Sequence, residues 1–280
     1  MTEIYNLMDM LLPFDWVHYT FMKNAFLAIL LITPLFGLLS TMVVSNRMAF
    51  FSDSLGHGAF TGIAIGVLLG MTSPLLSLII FSIAFAVFIT YIKNRSTAST
   101  DTIIGVFSST AIAIGLMIMS HGGGFNKFSS FLIGDVLSIT ADDLKAVLLV
   151  FVLVLAGWGF LFNRLLVLSI NSAFARSRGI STFWVESVFA ALLAVVVAIS
   201  IQWVGILIIN ALLVLPAAAA RNVTNNVKEY QLVSVIIAMA AGFSGLLLAY
   251  YCNMAAGATI VVLAALIFFV TLMLKARFVR

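Results

Sequence analysis

The chain has 280 residues and a formal net charge of +4, with 63% of its residues hydrophobic and 9% charged, and its mean hydropathy is +1.22. These values exclude a soluble globular domain, and they also exclude the nucleic-acid binding that an isoelectric point near 9.4 would otherwise suggest. We therefore predict an all-α fold, a polytopic transmembrane helical bundle with no nucleic-acid partner. The single cysteine, Cys252, excludes an internal disulfide.

About nine membrane spans are predicted from apolar runs near the ~20 residues that one crossing needs, with eight spans as the alternative. Two charge-free runs, Ser187 to Ala220 and Tyr230 to Leu274, are each long enough to hold two crossings. The whole chain is predicted to be one transmembrane domain. Its predicted spans are residues 20–44, 48–70, 75–92, 102–120, 144–162, 183–201, 204–220, 230–252 and 255–274.

The basic residues predict the orientation of these spans. With nine spans and the N-terminus outside, all of the 14 basic residues except Lys23, Lys127 and Lys145 face the cytoplasm, as the positive-inside rule requires. The C-terminus is then cytoplasmic, and the outer surface of the bundle contacts membrane lipid. Residues 125–140 are too few and too polar to span, and they are predicted to form a re-entrant or surface segment.

The stretch FFSDSLGHGAFTG, from Phe50 to Gly62, carries the most informative polar pair of the chain. Asp53 and His57 are four residues apart, so on a helix a carboxylate and an imidazole lie one turn apart on one face and can bind one divalent cation. Ionisable groups inside a membrane are costly and usually functional. The alternative is a hydrogen-bonded pair that only stabilises the helix. Because two ligands are too few for a tight site, a second copy, other polar side chains or water must complete the shell.

A strip of glycines lies on the same predicted helix. Gly58, Gly62, Gly66 and Gly70 recur at every fourth position. Such spacing leaves one face of a helix bare, so a neighbouring backbone can approach closely.

Motifs of ATP hydrolysis and of metalloprotease chemistry are absent from the sequence. No G-x-x-x-x-G-K-[ST] phosphate-binding loop occurs, so any ATP hydrolysis must come from another polypeptide. No H-E-x-x-H motif occurs either, which gives an intramembrane metalloenzyme little support. The chain is predicted to be a transport subunit and not an enzyme.

Six motifs occur in the order Phe50–Gly62, DTIIGVFSS at Asp101–Ser109, LIGDVLSIT at Leu132–Thr140, ARSRGI at Ala175–Ile180, VGILIINALLVLPAAAAR at Val204–Arg221 and AGATIVVLAAL at Ala256–Leu266. Together they resemble the permease subunits of bacterial ABC importers for manganese, zinc and iron, the ABC-3 metal-uptake family. The resemblance covers nearly the whole chain. It implies a multi-pass protein of the bacterial plasma (inner) membrane that imports Mn²⁺ or Zn²⁺, or Fe²⁺, by alternating access and holds no permanent cofactor.

The resemblance also implies partners and roles. A permease homodimer would form the pathway, two copies of a cytoplasmic ABC ATPase would drive it, and an extracytoplasmic metal-binding protein or lipoprotein would deliver the ion. Asp53 and His57 match the family's metal-coordinating pair. Residues 171–181 resemble the cytoplasmic coupling helix that docks on the ATPase, through Ala175, Arg176, Arg178 and Gly179, although these arginines could also serve only as orientation charges.

A stand-alone secondary transporter or channel, coupled to protons through Asp53 and His57, is the alternative function. The arginine-bearing link of residues 163–182 favours the ABC importer, because it offers an ATPase a docking site and few charged residues are left to relay protons. Other polar positions stay open. An acidic entrance, or a set of solvated loop charges, is formed by His121, Asp135, Asp142 and Asp143. Glu186 either attracts an exiting cation or snorkels to the surface. Gln202 and Asn210 either line the pathway or bond across helices.

Overall fold

The computed structural model describes residues 2–11, 13–71, 75–122, 134 and 136–278, and all regular structure within them is helical. Short 3₁₀ turns lie at Asp15–His18 and Val136–Ser138. The prediction of an all-α bundle is confirmed for these residues. Their eleven α-helices are α1 (Thr2–Leu11), α2 (Thr20–Ser45), α3 (Ala49–Leu68), α4 (Leu75–Arg95), α5 (Thr100–Gly122), α6 (Ala141–Ile170), α7 (Ser172–Ser177), α8 (Thr182–Val204), α9 (Ile206–Arg221), α10 (Val227–Cys252) and α11 (Ala256–Phe278).

Seven of the described helices, α2, α4, α5, α6, α8, α10 and α11, are long and apolar enough to cross a membrane. The sequence predicted about nine spans, and the two others correspond to α3 and α9. Helix α3 is long enough, but its serines, glycines, Asp53 and His57 make it less apolar than the seven. Helix α9 is apolar but has only 16 residues. The seven apolar helices make the chain a multi-pass membrane protein.

Helices α2 and α3 lie at the centre of two groups of packed helices. Helix α2 packs against α6, α9 and α10, and α3 packs against α4, α5, α8 and α9. Helix α9 therefore contacts both central helices. It also packs against α10 and α11, which close the bundle on its other side.

The crossing of α2 and α10 is made of small residues. A Cβ atom added to Gly37 would lie 2.7 Å from the Cα atom of Val235, so the two backbones touch at this point. The Ser234 hydroxyl donates to the Gly37 carbonyl over 2.7 Å and lies 3.0 Å from the Ser40 hydroxyl. Close contact and interhelical hydrogen bonds replace the hydrophobic effect as the force that joins helices within lipid.

Replacing Gly37 with alanine is expected to destabilise the bundle. The added methyl group meets backbone atoms that cannot turn aside, and overpacking of this kind costs about 1–3 kcal/mol. Thermal unfolding of the purified protein in detergent should show a lower midpoint than wild type. The matched control is Gly159→Ala on α6, where an added Cβ has no neighbour within 4 Å. Equal midpoints for the two variants would contradict the close crossing.

A single residue, Gly205, connects α8 to α9. Its φ of +81° lies in the region that only glycine adopts without strain. Gly134 packs directly against this connection, since a Cβ atom added to Gly134 would lie 2.3 Å from the Gly205 nitrogen. Gly134 also has a positive φ, +72°. The chain therefore turns between α8 and α9 with almost no linker, and the turn is held by the segment that precedes α6.

The N-terminal helix α1 is joined to the start of α2 by polar contacts. The Lys23 ammonium binds Asp9 at 2.7 Å, and the Tyr5 hydroxyl donates to the Asn24 side chain. Asn24 also donates to the Ile139 carbonyl over 2.9 Å, which connects α2 to the residues before α6. The predicted surface segment at residues 125–140 falls mostly on positions outside the described residues, apart from Gly134 and residues 136–140.

Helix α6 begins at a capping box and runs longer than the predicted span of 144–162. The Thr140 hydroxyl accepts from the Asp143 nitrogen, and the Asp143 carboxylate accepts from the Thr140 nitrogen, so the first turn is closed at both positions. The helix continues to Ile170, because Leu161, Leu165 and Leu168 form a buried stripe on one face. Residues 163–170, predicted as part of a polar link, are therefore helical.

Candidate metal centre

Helix α3 holds Asp53 and His57 one turn apart, as the spacing predicted. The His57 Nε2 atom lies 3.6 Å from the Asp53 Oδ2 atom. The Asp53 side chain is 47% exposed and that of His57 is 36% exposed in the single chain. Both side chains therefore reach an open side of the bundle, while most of the residues around them on the helix are buried.

Glycines and hydroxyl groups fix the buried sides of α3. A Cβ atom on Gly58 would lie 2.8 Å from the Phe85 ring, and one on Gly62 would lie 3.1 Å from the Leu78 Cα atom, so these two glycines of the predicted strip pack against α4. Gly70 lies beyond the end of α3, and an added Cβ atom there would have no neighbour within 4 Å. The Ser77 hydroxyl of α4 donates to the Gly62 carbonyl over 2.8 Å. These contacts hold the backbone of α3 so that the Asp53 and His57 face stays turned away from α4.

Asn210 of α9 is the third polar side chain of this centre. Its Nδ2 atom donates a hydrogen bond to Asp53 Oδ1, across the packed surfaces of α3 and α9. The Oδ1 atom of Asn210 is buried and has no hydrogen-bond partner among the described residues. The sequence left Asn210 open between lining a pathway and bonding across helices, and the structure joins it to the predicted metal pair.

The chemistry of the centre would suit a weak divalent-cation site. A carboxylate oxygen, an imidazole nitrogen and an amide group converge from two helices. No cluster of three or more His, Cys, Asp or Glu side chains occurs in the part of the chain that the structure describes. Carboxylate and imidazole suit Mn²⁺, Fe²⁺ and Zn²⁺, and a structural zinc site would need four such ligands.

Helix α7 and the turn after it form a short exposed segment. Asn171 caps α7 by accepting from the nitrogens of Ala173 and Phe174. The Arg178 guanidinium lies 5.1 Å from the centre of the Phe174 ring, and Arg176 and Arg178 are both exposed. Two grooves flank the segment: Arg178 lines one of about 480 Å³ with Arg164 and Trp184, and Arg176 lines one of about 350 Å³ with Tyr91, Arg95 and Phe183.

Comparison with known proteins decides the family. The sequence profile of the ABC 3 transport family matches residues 18–275, which is nearly the whole chain. The chain belongs to the ABC 3 transport family.

Relatives of this ABC 3 family chain are named as parts of metal transport systems. The high-affinity zinc uptake system membrane protein ZnuB of Buchnera aphidicola is 29% identical and the alignment covers 88% of this chain and 94% of the relative. The manganese import system permease protein ScaB of Streptococcus gordonii is 28% identical over 94% of this chain and 95% of its own. In the solved structure of PsaBC from Streptococcus pneumoniae in complex with Fab, one chain superimposes with a TM-score of 0.79 at 26% identity, over 97% of this chain and 95% of that chain.

In this ABC 3 family chain, the described charged residues that were predicted to act outside the centre form local ion pairs, hydrogen bonds or a helix cap. Asp142 pairs with Lys145 at 2.7 Å on the exposed start of α6, and Asp143 serves in the capping box of that helix. Glu186 of α8 binds Lys93 at 3.1 Å and accepts from Asn94 over 2.9 Å, which joins the end of α4 to the start of α8. Asp135 and the side chain of His121 lie outside the described residues.

Ala175 and Gly179 complete the segment predicted to couple to an ATPase. Ala175 is fully buried, and Gly179 has a φ of +74° that ends the turn after α7. The structure therefore anchors the segment through Ala175 and exposes its arginines. Asn210 is the one residue of the centre that was not predicted as a metal ligand, and its only signal in the sequence was a polar side chain inside an apolar run of 34 residues.

Proposed function

We propose that this ABC 3 family chain is the membrane permease of an importer that moves Mn²⁺ or Zn²⁺, or Fe²⁺, into the cytoplasm, with Asp53 and His57 as ligands of the ion in transit. The observation that carries the proposal is the open Asp53–His57 pair on the helix that packs at the centre of the bundle. Relatives named for zinc uptake and for manganese transport support the cargo. A site with so few ligands suits a transporter, which has to release its ion.

A homodimer would complete the pathway. The half-exposed side chains of Asp53 and His57 supply two ligands from one chain, and a second copy facing them would supply two more. Intramembrane ionisable groups face a protein interior or a water-filled cavity and not lipid, which supports a partner over this face. Alternating access would then open the paired sites to one side at a time.

Nine crossings with an outside N-terminus account for the helix directions. Helices α2 and α10 run antiparallel, since Gly37 meets Val235 while Thr33 meets Gly242. Helices α9 and α11 run parallel, since Ile208 contacts Gly257 at one end and Asn222 donates to Thr271 over 3.4 Å at the other. With α3 and α9 counted as crossings, all nine helices alternate in direction, and α7 lies on the cytoplasmic side.

The partners follow from this orientation. Two copies of a cytoplasmic ATPase would dock on residues 171–181 of the two permeases and supply the ATP hydrolysis. An extracytoplasmic metal-binding protein or lipoprotein would deliver the ion at the opposite end, where Asp142, Asp143, Asp135 and His121 would form an acidic entrance. Glu186 would attract the departing ion only after its contact with Lys93 has opened.

The test is uptake of radioactive Mn²⁺ and Zn²⁺ by cells that lack their own importers for these ions and express the chain with or without its ATPase partner. Uptake that requires the partner is the expected result, and the ion carried faster identifies the cargo. Uptake without the partner would make the chain a stand-alone carrier. Absence of uptake in either case, with both proteins present in the membrane, would overturn the assignment.

A further inference from the structure

An amide oxygen without a partner lies beside the proposed ion ligands. Asn210 uses its Nδ2 atom to donate to Asp53, while its Oδ1 atom is buried and, within the described part of the chain, accepts no hydrogen bond. A buried acceptor left unsatisfied costs about 1–3 kcal/mol, and the cost is greater where lipid excludes water. What distinguishes the Asn210 oxygen is its place beside Asp53, where it is available to a ligand.

Rotation of the Asn210 amide can bring this oxygen to a bound ion. A half turn about the last side-chain bond of Asn210 exchanges its NH₂ group and its oxygen, which have nearly the same shape. In the structure the NH₂ group faces the Asp53 carboxylate, as suits a carboxylate without a cation. A divalent cation bound to that carboxylate repels the NH₂ group and attracts the oxygen. The turned amide would face the cation with the oxygen that is now unpaired.

We propose that Asn210 is the third ligand of the transported ion and that its amide oxygen sets the preference of the site for Mn²⁺ over Zn²⁺. The inference rests on the proposed function. Carboxylate, carbonyl and water oxygens suit Mn²⁺, whereas nitrogen and sulfur ligands favour Zn²⁺. Asp53 and Asn210 oxygens with the His57 nitrogen give two oxygens for each nitrogen.

An amide ligand also explains how the site releases the ion. It is a neutral ligand and adds no negative charge that would hold the ion tightly. When the ion leaves, the NH₂ group regains its hydrogen bond to Asp53, which restores the state seen in the structure. The bond between Asn210 and Asp53 and the bond between the ion and Asp53 therefore compete for one oxygen.

The experiment compares initial uptake rates of radioactive Mn²⁺ and Zn²⁺ by the permease with its ATPase partner. Asn210→Ala is expected to lower the ratio of Mn²⁺ to Zn²⁺ uptake by about tenfold or more, as losses near metal ligands commonly do. Asn210→Asp keeps an oxygen at this position and should retain the wild-type preference, whereas Asn210→His should shift it toward Zn²⁺. Asn222→Ala, at the C-terminal cap of the same helix but bonded to Thr271, is the matched control.

The outcomes separate this inference from the function on which it rests. An unchanged ratio of Mn²⁺ to Zn²⁺ uptake in Asn210→Ala would overturn the inference, whether both rates fall equally or neither falls. An equal fall would make Asn210 only a tether between α3 and α9. In both cases Asp53→Ala would still stop uptake if the proposed function is correct, and normal uptake by Asp53→Ala would overturn the function itself. Equilibrium binding of Mn²⁺ and of Zn²⁺, each measured separately on the purified permease–ATPase complex, gives the same comparison if a variant transports poorly.

Discussion

Replacement of His57 with alanine is expected to reduce ion uptake by more than about 100-fold, since loss of supporting residues outside the ligand shell already costs 10–100-fold in metal affinity. Asp53→Ala should have the same effect, because each variant leaves one protein ligand of the original pair. The measurement is initial uptake of radioactive Mn²⁺ and Zn²⁺ at several ion concentrations. Uptake should not recover at high ion concentration, because each variant loses the binding site itself and does not merely bind the ion more weakly.

Two controls show that these variants fail in transport and not in folding. Both side chains are half-exposed, so their truncation leaves no cavity in the core, and each variant should reach the membrane and purify with the ATPase as wild type does. Asp101→Ala removes an exposed carboxylate at the start of α5, on a different helix from the residues of the centre, and should transport normally. Normal transport by both His57→Ala and Asp53→Ala would end the proposal that this pair handles the ion.

Reversal of the charge at Arg178 is expected to weaken association with the ATPase by at least about tenfold. The Arg178 guanidinium is exposed at the end of α7, rests on the Phe174 ring, and has no carboxylate partner among the described residues. Like charges placed opposite each other in an interface cost several kcal/mol, and 1.4 kcal/mol is already tenfold in Kd. Co-purification of the ATPase with Arg178→Glu at increasing salt, against wild type, measures the effect.

The matched control for this variant is Lys228→Glu. Lys228 is exposed at the start of α10, which the proposed orientation places on the cytoplasmic side but away from α7. Its reversal changes the net charge equally and should leave association unchanged. Equal weakening by both variants would indicate a general electrostatic attraction, and unchanged association in Arg178→Glu would count against the coupling segment.

The half of the metal centre that lies on one helix could be predicted from the sequence. Asp53 and His57 are neighbours through the helical period alone, so their spacing suffices. Asn210 lies 157 residues from Asp53 and meets it only because α9 packs against α3, which no local pattern encodes. The same holds for Glu186 and Lys93, separated by 93 residues.

Hydropathy predicted most of the helices, and the helices and helix ends that it describes poorly have physical causes. Helix α3 is polar because it carries the centre, and α9 is short because it starts immediately after Gly205. Helix α6 extends past its predicted end since Asn163 and Arg164 lie on an exposed face, while Leu165 and Leu168 are buried on another. A composition window averages over these faces and cannot separate them.

The single-residue connection at Gly205 joins two consecutive helices, one of which follows the proposed ATPase-binding segment and the other of which carries Asn210. Four residues separate α8 from α7, the segment proposed to bind the ATPase, and α8 ends at Val204, immediately before Gly205. Asn210 lies five residues beyond, in the first turns of α9, bonded to Asp53. One residue has only two soft backbone dihedrals, so α8 and α9 can change their angle at this point but cannot draw apart. A shift of α8 along its axis therefore displaces the first turn of α9, and with it the amide that faces the ion.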